Sequence, residues 1–243
     1  IMAELILPRV FKDSSIDGRY GHLNNMPKLS YSQINSWKDP KYSHDYIKQY
    51  FAGISIPSGI YANYGSACGT FIEGIGTGNM KCHDEYKHLL SESDRDILKN
   101  ELEYPEQTKY EDLIVLDCGN FVIEGFIDRC IYQNNQKLIV EDIKTGSIKN
   151  KSGFYKSNDY KQTNLYAYSK EKEGYTIEDC RVIMFDRAGN NSEKSPLRLT
   201  GKVENIPTPY NSKEFENWLK MVEKVAEEIS DVYKTYLKYF NNG

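Results

Sequence analysis

Residues 139–146, "IVEDIKTG", load two carboxylates and an amine onto the far end of a stretch that begins like a buried strand. Side chains alternate across a strand, so Leu138, Val140, Asp142 and Lys144 share one face, and Ile139, Glu141 and Ile143 the other. The apolar pair marks the first face as inward, which makes Glu141 the replaceable acid of the two. Charge on a core face is costly unless it is paired or holds a metal. The preceding run repeats the pattern, with Val122, Glu124, Phe126 and Asp128 on one face. Across a hairpin turning at 134–136, Asp128 and Asp142 stand at comparable distances from the turn. Two converging carboxylates beside an ammonium group can bind a hard divalent cation. Such a cation lowers the pKa of its water and offsets phosphate charge, while a lysine orients or activates that water and stabilises developing charge. For an isolated D-x-K tripeptide, a strand-end ion pair is the simpler reading.

The elements that must carry these residues are legible. Three β-branched and aromatic runs, 113–119, 120–133 and 137–146, predict an antiparallel meander. A helix is expected from "SYSQINSW", capped by Ser30 with Gln33 or by Ser32. "KYSHDYIKQYF" then places Tyr42, Tyr46, Ile47, Tyr50 and Phe51 on one stripe. "YGSACGTFIEGI" reads as a helix of small residues suited to close packing. Its Gly74, Gly76 and Gly78 do not form a dinucleotide fingerprint, because the spacing is wrong and no strand precedes them. Ser91–Glu103 reads as an exposed helix started by Ser91 and Asp94. "SNDYKQTNLYAYSKE" predicts another helix, 180–187 a fourth strand, and "SPLRLTGKV" a weaker fifth. The clearest element is C-terminal: Phe215, Trp218, Leu219, Val222, Val225, Ala226, Ile229, Val232, Tyr233, Tyr236 and Leu237 keep one helical face, with Asn211 and Glu214 as caps. This order implies an N-terminal arm over 1–29 and a single α/β domain over 30–243.

Bulk properties narrow the class. The 243 residues suffice for a substantial core, and no apolar run approaches the ~18 residues of a membrane span. The N-terminus lacks signal-peptide character, so a cytoplasmic protein is expected. Five scattered cysteines without a C-x-x-C pair argue against a zinc ribbon or a disulfide framework. A net charge of −4 does not mark a nucleic-acid binder, but 144–161 holds five lysines against the single acid Asp159. "KCHDEYKH" offers Cys82, His83, Asp84 and His88, with Asp84 and His88 as helical i, i+4 neighbours, but two more zinc ligands at suitable spacing are missing. A polar helix start is the simpler reading there.

"GFIDR" (125–129), "VEDIKTG" (140–146) and "QTNLYAY" (162–168), in that order, resemble the PD-(D/E)XK nuclease superfamily in its RecB-like and phage lambda-exonuclease-like branch. "LSYSQINSWKDPKYSHDY" looks like the branch's opening helix, and "GSACGTFIEGI" like its G-x-x-x-H/E helix. The resemblance runs from about Ser30 to Tyr168. It implies a restriction-endonuclease-like α/β core, a mixed central sheet flanked by helices, here with a long C-terminal helix. It also implies Asp128, Asp142, Glu73 and the backbone carbonyl of Ile143 as metal ligands, with Lys144 as the catalytic lysine. Gln162 and Tyr166 would support the site or contact the DNA backbone, ordinary helix–sheet packing being the alternative. The implied reaction is hydrolysis of phosphodiesters by water activated on one or two Mg²⁺ or Mn²⁺ ions.

Asp39 stands where some relatives carry a cysteine and no cysteine follows Cys180, so an iron–sulfur cluster is not expected. The absence of a G-x-x-x-x-G-K-[ST] motif means that unwinding would come from a partner, such as a helicase, a single-strand annealing protein or another replication or recombination protein. Beside such a site the lysine run gains a role: Lys149, Lys151, Lys156 and Lys161, with Phe154, Tyr155 and Tyr160 interleaved, form a basic loop suited to tracking a backbone and stacking bases. The expectation is a DNA exonuclease of recombination, repair or phage metabolism, the last suggested by the Lys-, Asn- and Tyr-rich composition and placing it in a host cytoplasm. An RNA or structure-specific endonuclease and a non-catalytic nucleic-acid-binding protein remain as alternatives.

Overall fold

The computed structural model describes residues 28–38, 46, 57–133, 136–157 and 159–240. The expected arm and most of the 42–51 aromatic stripe lie outside them; Tyr46, which is described, is helical and buried. The elements are β1 (Lys28–Leu29), α1 (Tyr31–Lys38), α2 (Ile60–Thr77), α3 (Glu92–Asn100), β2 (Thr108–Asp117), β3 (Val122–Tyr132), β4 (Lys137–Gly146), α4 (Ile148–Lys156), α5 (Gln162–Lys172), β5 (Thr176–Ala188), β6 (Arg198–Pro207) and α6 (Ser212–Phe240). Short 3₁₀ turns at Met80–His83 and Lys87–Leu89 link α2 to α3.

The strands form one six-stranded mixed sheet in the order β1-β3-β4-β5-β6, with β2 also paired to β3. β3 and β4 are antiparallel with Arg129 opposite Glu141, as the hairpin reading required. β4 and β5 are parallel, joined through α4 and α5, and β5 and β6 are antiparallel. This is the mixed α/β architecture with a long C-terminal helix that the sequence predicts.

Chain contacts divide the molecule into two compact units. The first comprises residues 1–57, 114–125 and 213–243. In it Ser30 and Gln33 form the expected capping box: Ser30 N–H donates to Gln33 Oε1 at 2.6 Å, and Gln33 N–H to Ser30 Oγ at 3.3 Å. Lys28 and Glu124 form a buried ion pair at 2.9 Å. The α6 stripe is buried at Phe215, Val222, Val225, Ala226, Ile229 and Tyr233, whereas Val232 is exposed. Trp218 and Leu219 are half-buried, and the side chains of Tyr236 and Leu237 lie outside those described.

The second unit comprises residues 58–113 and 126–212. Its core packs Tyr64, Ala67, Cys68, Phe71 and Ile72 of α2 with Leu98 of α3, Ile183 and Phe185 of β5 and Leu199 of β6. Ser91 and Asp94, expected at the start of this helix, form a capping box for α3, and Asp94 also accepts the Leu199 N–H at 2.7 Å. A side chain at Gly76 would collide with the Tyr110 ring, so this glycine sets how closely α2 approaches β2.

Two sequence expectations change here. The basic stretch after β4 is no loop: Ile148–Lys156 is helix α4, anchored by buried Ile148 and Tyr155, seven residues apart on its inner face. Nor do Asp84 and His88 share a helix, since each belongs to a separate short turn.

Candidate functional site

The site lies wholly in the second unit. Asp128 near the end of β3 accepts the Ile143 N–H of β4 through Oδ2 at 2.6 Å. Asp142, fully buried, meets Lys144 Nζ through its own Oδ2, also at 2.6 Å. The Tyr160 hydroxyl donates to the same oxygen at 2.6 Å and lies 3.2 Å from Gln162 Oε1. Gln162 Nε2 in turn donates to the Tyr166 hydroxyl at 2.7 Å. Gln162 and Tyr166 are one helical turn apart on α5, which is why both reach the same partner line. Tyr166 and Tyr160 are both buried. Both stand behind Asp142, outside the lining of the cleft.

Asp128 and Lys144 open onto a cleft of about 290 Å³, which the fully buried Asp142 does not line. One wall is α2, presenting Gly65, Ser66, Gly69, Thr70 and Glu73; the other carries Asp128, Ile143, Lys144, Tyr110 and Glu111. The i, i+4, i+8 series Gly65, Gly69, Glu73 runs along one helix face, so the small residues keep the cleft open beside an acid at its end. Glu73 therefore shares a cleft with Asp128 and Lys144, as the resemblance implies.

The electrostatics follow from burial. Desolvation, then the neighbouring Asp142 charge, pushes Asp128 up to about 7. For Lys144 burial opposes the charge, but Asp142 and Asp128 outweigh it and hold the amine above its ordinary value. Lys144 is thus an ammonium at neutral pH, a donor and a positive charge.

Glu111 is the residue that sequence reasoning missed. It lies on β2, two residues before the run that the sequence marks as strand, and its φ of 48° puts a non-glycine residue in the left-handed region. Desolvation first, then the charge of Glu73, raises its pKa. The signal was weak because Lys109, Glu111 and Asp112 hide the strand period of "TKYEDL".

The opposite face of β4 corrects a second expectation. Glu141 does point away from Asp142, but not to solvent. It is buried, paired with Arg129 Nη1 at 2.7 Å and with Arg181 Nη2 at 2.5 Å. β4 lies between β3 and β5, and an arginine from each reaches Glu141, so alternation alone could not mark this face as dispensable.

The lysines divide. Lys149 and Lys151 are exposed on α4, Lys156 pairs with Glu204 at 3.0 Å, and Lys161 caps α5. In the Cys82–His88 stretch, Cys82 Sγ donates to the Asn79 carbonyl, and buried His83 packs edge-on to Phe71 with Nδ1 3.0 Å from Thr70 Oγ1.

Among the described residues, no three His, Cys, Asp or Glu side chains stand close enough together to hold a metal ion. The donors nonetheless suit a hard cation. Asp142 Oδ1 is buried without a hydrogen-bond partner, an expensive state for a carboxylate oxygen, and Asp128, Glu73 and the Ile143 backbone supply further oxygens nearby.

Two solved structures match the chain over most of its length. The crystal structure of SSO0001 covers 86% of this chain and 81% of its own, at 14% identity and a TM-score of 0.42. A protein described as a "Putative exonuclease" from Eubacterium rectale covers 84% and 85%, at 10% identity and a TM-score of 0.47. No curated protein matches the sequence. The family model for the PD-(D/E)XK nuclease superfamily matches residues 82–236, a span that contains Asp128, Asp142, Lys144, Gln162 and Tyr166. The chain belongs to the PD-(D/E)XK nuclease superfamily.

Proposed function

We propose that the protein is a divalent-metal-dependent deoxyribonuclease, and specifically an exonuclease serving recombination, repair or phage DNA metabolism. The observation that carries this reading is the unpartnered Oδ1 of Asp142, buried beside Asp128 and behind Lys144. Members of this superfamily generally use divalent metal ions. Asp128, Asp142, Glu73 and the Ile143 carbonyl would hold Mg²⁺ or Mn²⁺, which when bound lowers the pKa of water and offsets phosphate charge. The protein's own residues then do three things. Asp142, fixed by Tyr160 from behind, holds its carboxylate in one orientation. Lys144, kept protonated by the two aspartates, donates to the attacking oxygen or to the charge growing on the phosphate. The α2 wall, bare of side chains at Gly65 and Gly69, admits the strand. The preference for an exonuclease on DNA rests on the resemblance to the RecB-like and lambda-exonuclease-like branch, carried by Gln162 and Tyr166 after the D-x-K strand.

The test is direct. The protein and Asp142→Ala are incubated with linear duplex, closed circular duplex, single-stranded DNA and RNA, in Mg²⁺, Mn²⁺ or EDTA. Metal-dependent loss of DNA with free ends, absent in the variant, is expected. Cutting of closed circles refutes the exonuclease assignment, and failure to cleave any substrate refutes the nuclease reading itself.

A further inference from the structure

The aromatics among the lysines after β4 fall into two kinds. Tyr155 and Tyr160 are buried, and Tyr160 commits its hydroxyl to Asp142. Phe154 is apolar yet 50% exposed, its ring edge-on to Tyr155 at 5.5 Å and to Tyr160 at 5.7 Å. One ring contact and one hydrogen bond therefore separate this exposed ring from the Asp142 carboxylate.

Its platform is anchored. The Ile148 N–H at the start of α4 donates to Asp186 of β5 at 3.0 Å, and Lys156 at its end pairs with Glu204 of β6. Phe154 consequently holds its place without needing to bury its outer face. Asn150 and Lys151, four and three residues earlier, share its side of the helix. Among the described residues no ion pair engages Lys149 or Lys151. An exposed phenyl ring with an uncommitted ammonium group three residues away fits one kind of occupant: a base to cover the ring, and a backbone phosphate for the amine. Lys149 and Lys151 make this exposed face locally positive, complementary to a polyanion.

We propose that Phe154 stacks an unpaired nucleobase of a bound strand, with Lys151 on the neighbouring backbone. A base has a free face for such a ring only where it is unpaired or terminal. The site therefore takes a single strand or a frayed end in preference to closed duplex. The inference rests on reading the cleft as a nuclease site.

Binding is measured in EDTA, by fluorescence anisotropy, for a labelled single strand of DNA and for a duplex closed by loops at both ends. Phe154→Ala is expected to weaken single-strand binding about 5- to 100-fold, the range for loss of one stacked base, with Phe154→Trp restoring it. Closed-duplex binding should change less than about twofold, below the effect of one stack. Lys151→Ala should reduce the salt slope by about one, while Phe154→Ala leaves it unchanged. Single-strand affinity of Phe154→Ala equal to the parent's, or equal losses on both ligands, overturns the proposal. Binding that depends on Phe154 without cleavage of any nucleic acid would refute the nuclease reading and sustain this contact. Cleavage with binding indifferent to Phe154 does the reverse.

Discussion

Asp128 accepts a backbone N–H as a carboxylate should, yet burial and the Asp142 charge raise its pKa to about 7. An unfolded aspartate titrates near 3.9, so between about pH 4 and 7 the folded protein holds a proton that the unfolded chain has released. This group's contribution to stability is therefore fully present below about pH 4 and is lost as pH rises through 7. Asp128→Asn should unfold at a higher temperature than the parent in EDTA at pH 8, with the difference vanishing towards pH 4. Its cleavage should fall by at least about 10²-fold. A thermal difference that is constant with pH would show that Asp128 is not strained by its neighbour. Glu141 tests the other face of β4. Glu141→Gln leaves the Arg129 guanidinium buried without its counter-charge, and urea unfolding should show a loss of about 3–5 kcal/mol. A loss below about 1 kcal/mol, typical of exposed pairs, would return Glu141 to the dispensable role that strand alternation gives it.

At the scale of elements, α2 sacrifices helix stability for an open wall. A side chain at Gly69 would meet no atom within 4 Å, so packing does not require glycine there. Gly69→Ala should stabilise the protein by about 0.5–1 kcal/mol in urea unfolding, since glycine is poor in a helix interior. Gly69→Leu should keep the fold and lose cleavage by filling the cleft, which a pairing of urea unfolding with a nuclease assay would resolve. A destabilised Gly69→Ala would show that the wall packs more tightly than the cleft implies. The same elements show what the sequence could convey. Asp142, Lys144 and Asp128 were legible because strand alternation is strict and the hairpin is local. Glu73 and the Gln162–Tyr166 pair came from motif order, which reports position in a family and not geometry. The β2 start, with Glu111, was hidden by charges that break its period, and α4 by lysines that resemble a solvated loop. Burial of Glu141 was invisible because its partners Arg129 and Arg181 come from two different neighbouring strands.

For the whole molecule, an acidic chain with a cluster of strained carboxylates should respond sharply to cations. Saturation at 100 times the dissociation constant contributes about 2.7 kcal/mol to a folded state that alone binds the ion. Scanning calorimetry should show Mg²⁺ or Mn²⁺ raising the unfolding temperature of the parent, and raising that of Asp142→Asn far less. Equal shifts in both proteins would place the ion elsewhere. Acid should act oppositely. Burial, then Arg95, lowers the pKa of His83, so its contribution to stability is lost as pH falls through its unfolded value of about 6.5 and on through its lower folded one. No helix among the described residues is long and apolar enough to cross a membrane. Arg129 faces Glu141 across the hairpin, one residue inward from the two aspartates. A slip of one residue would turn every side chain of β4 to the wrong face, strip both arginines of their partner and carry Asp142 away from Tyr160. The ion pair is thus compatible with one strand alignment alone. Weakening it should yield a mixture of fully competent and inert molecules, so that titration of active sites falls while the turnover of each competent one holds.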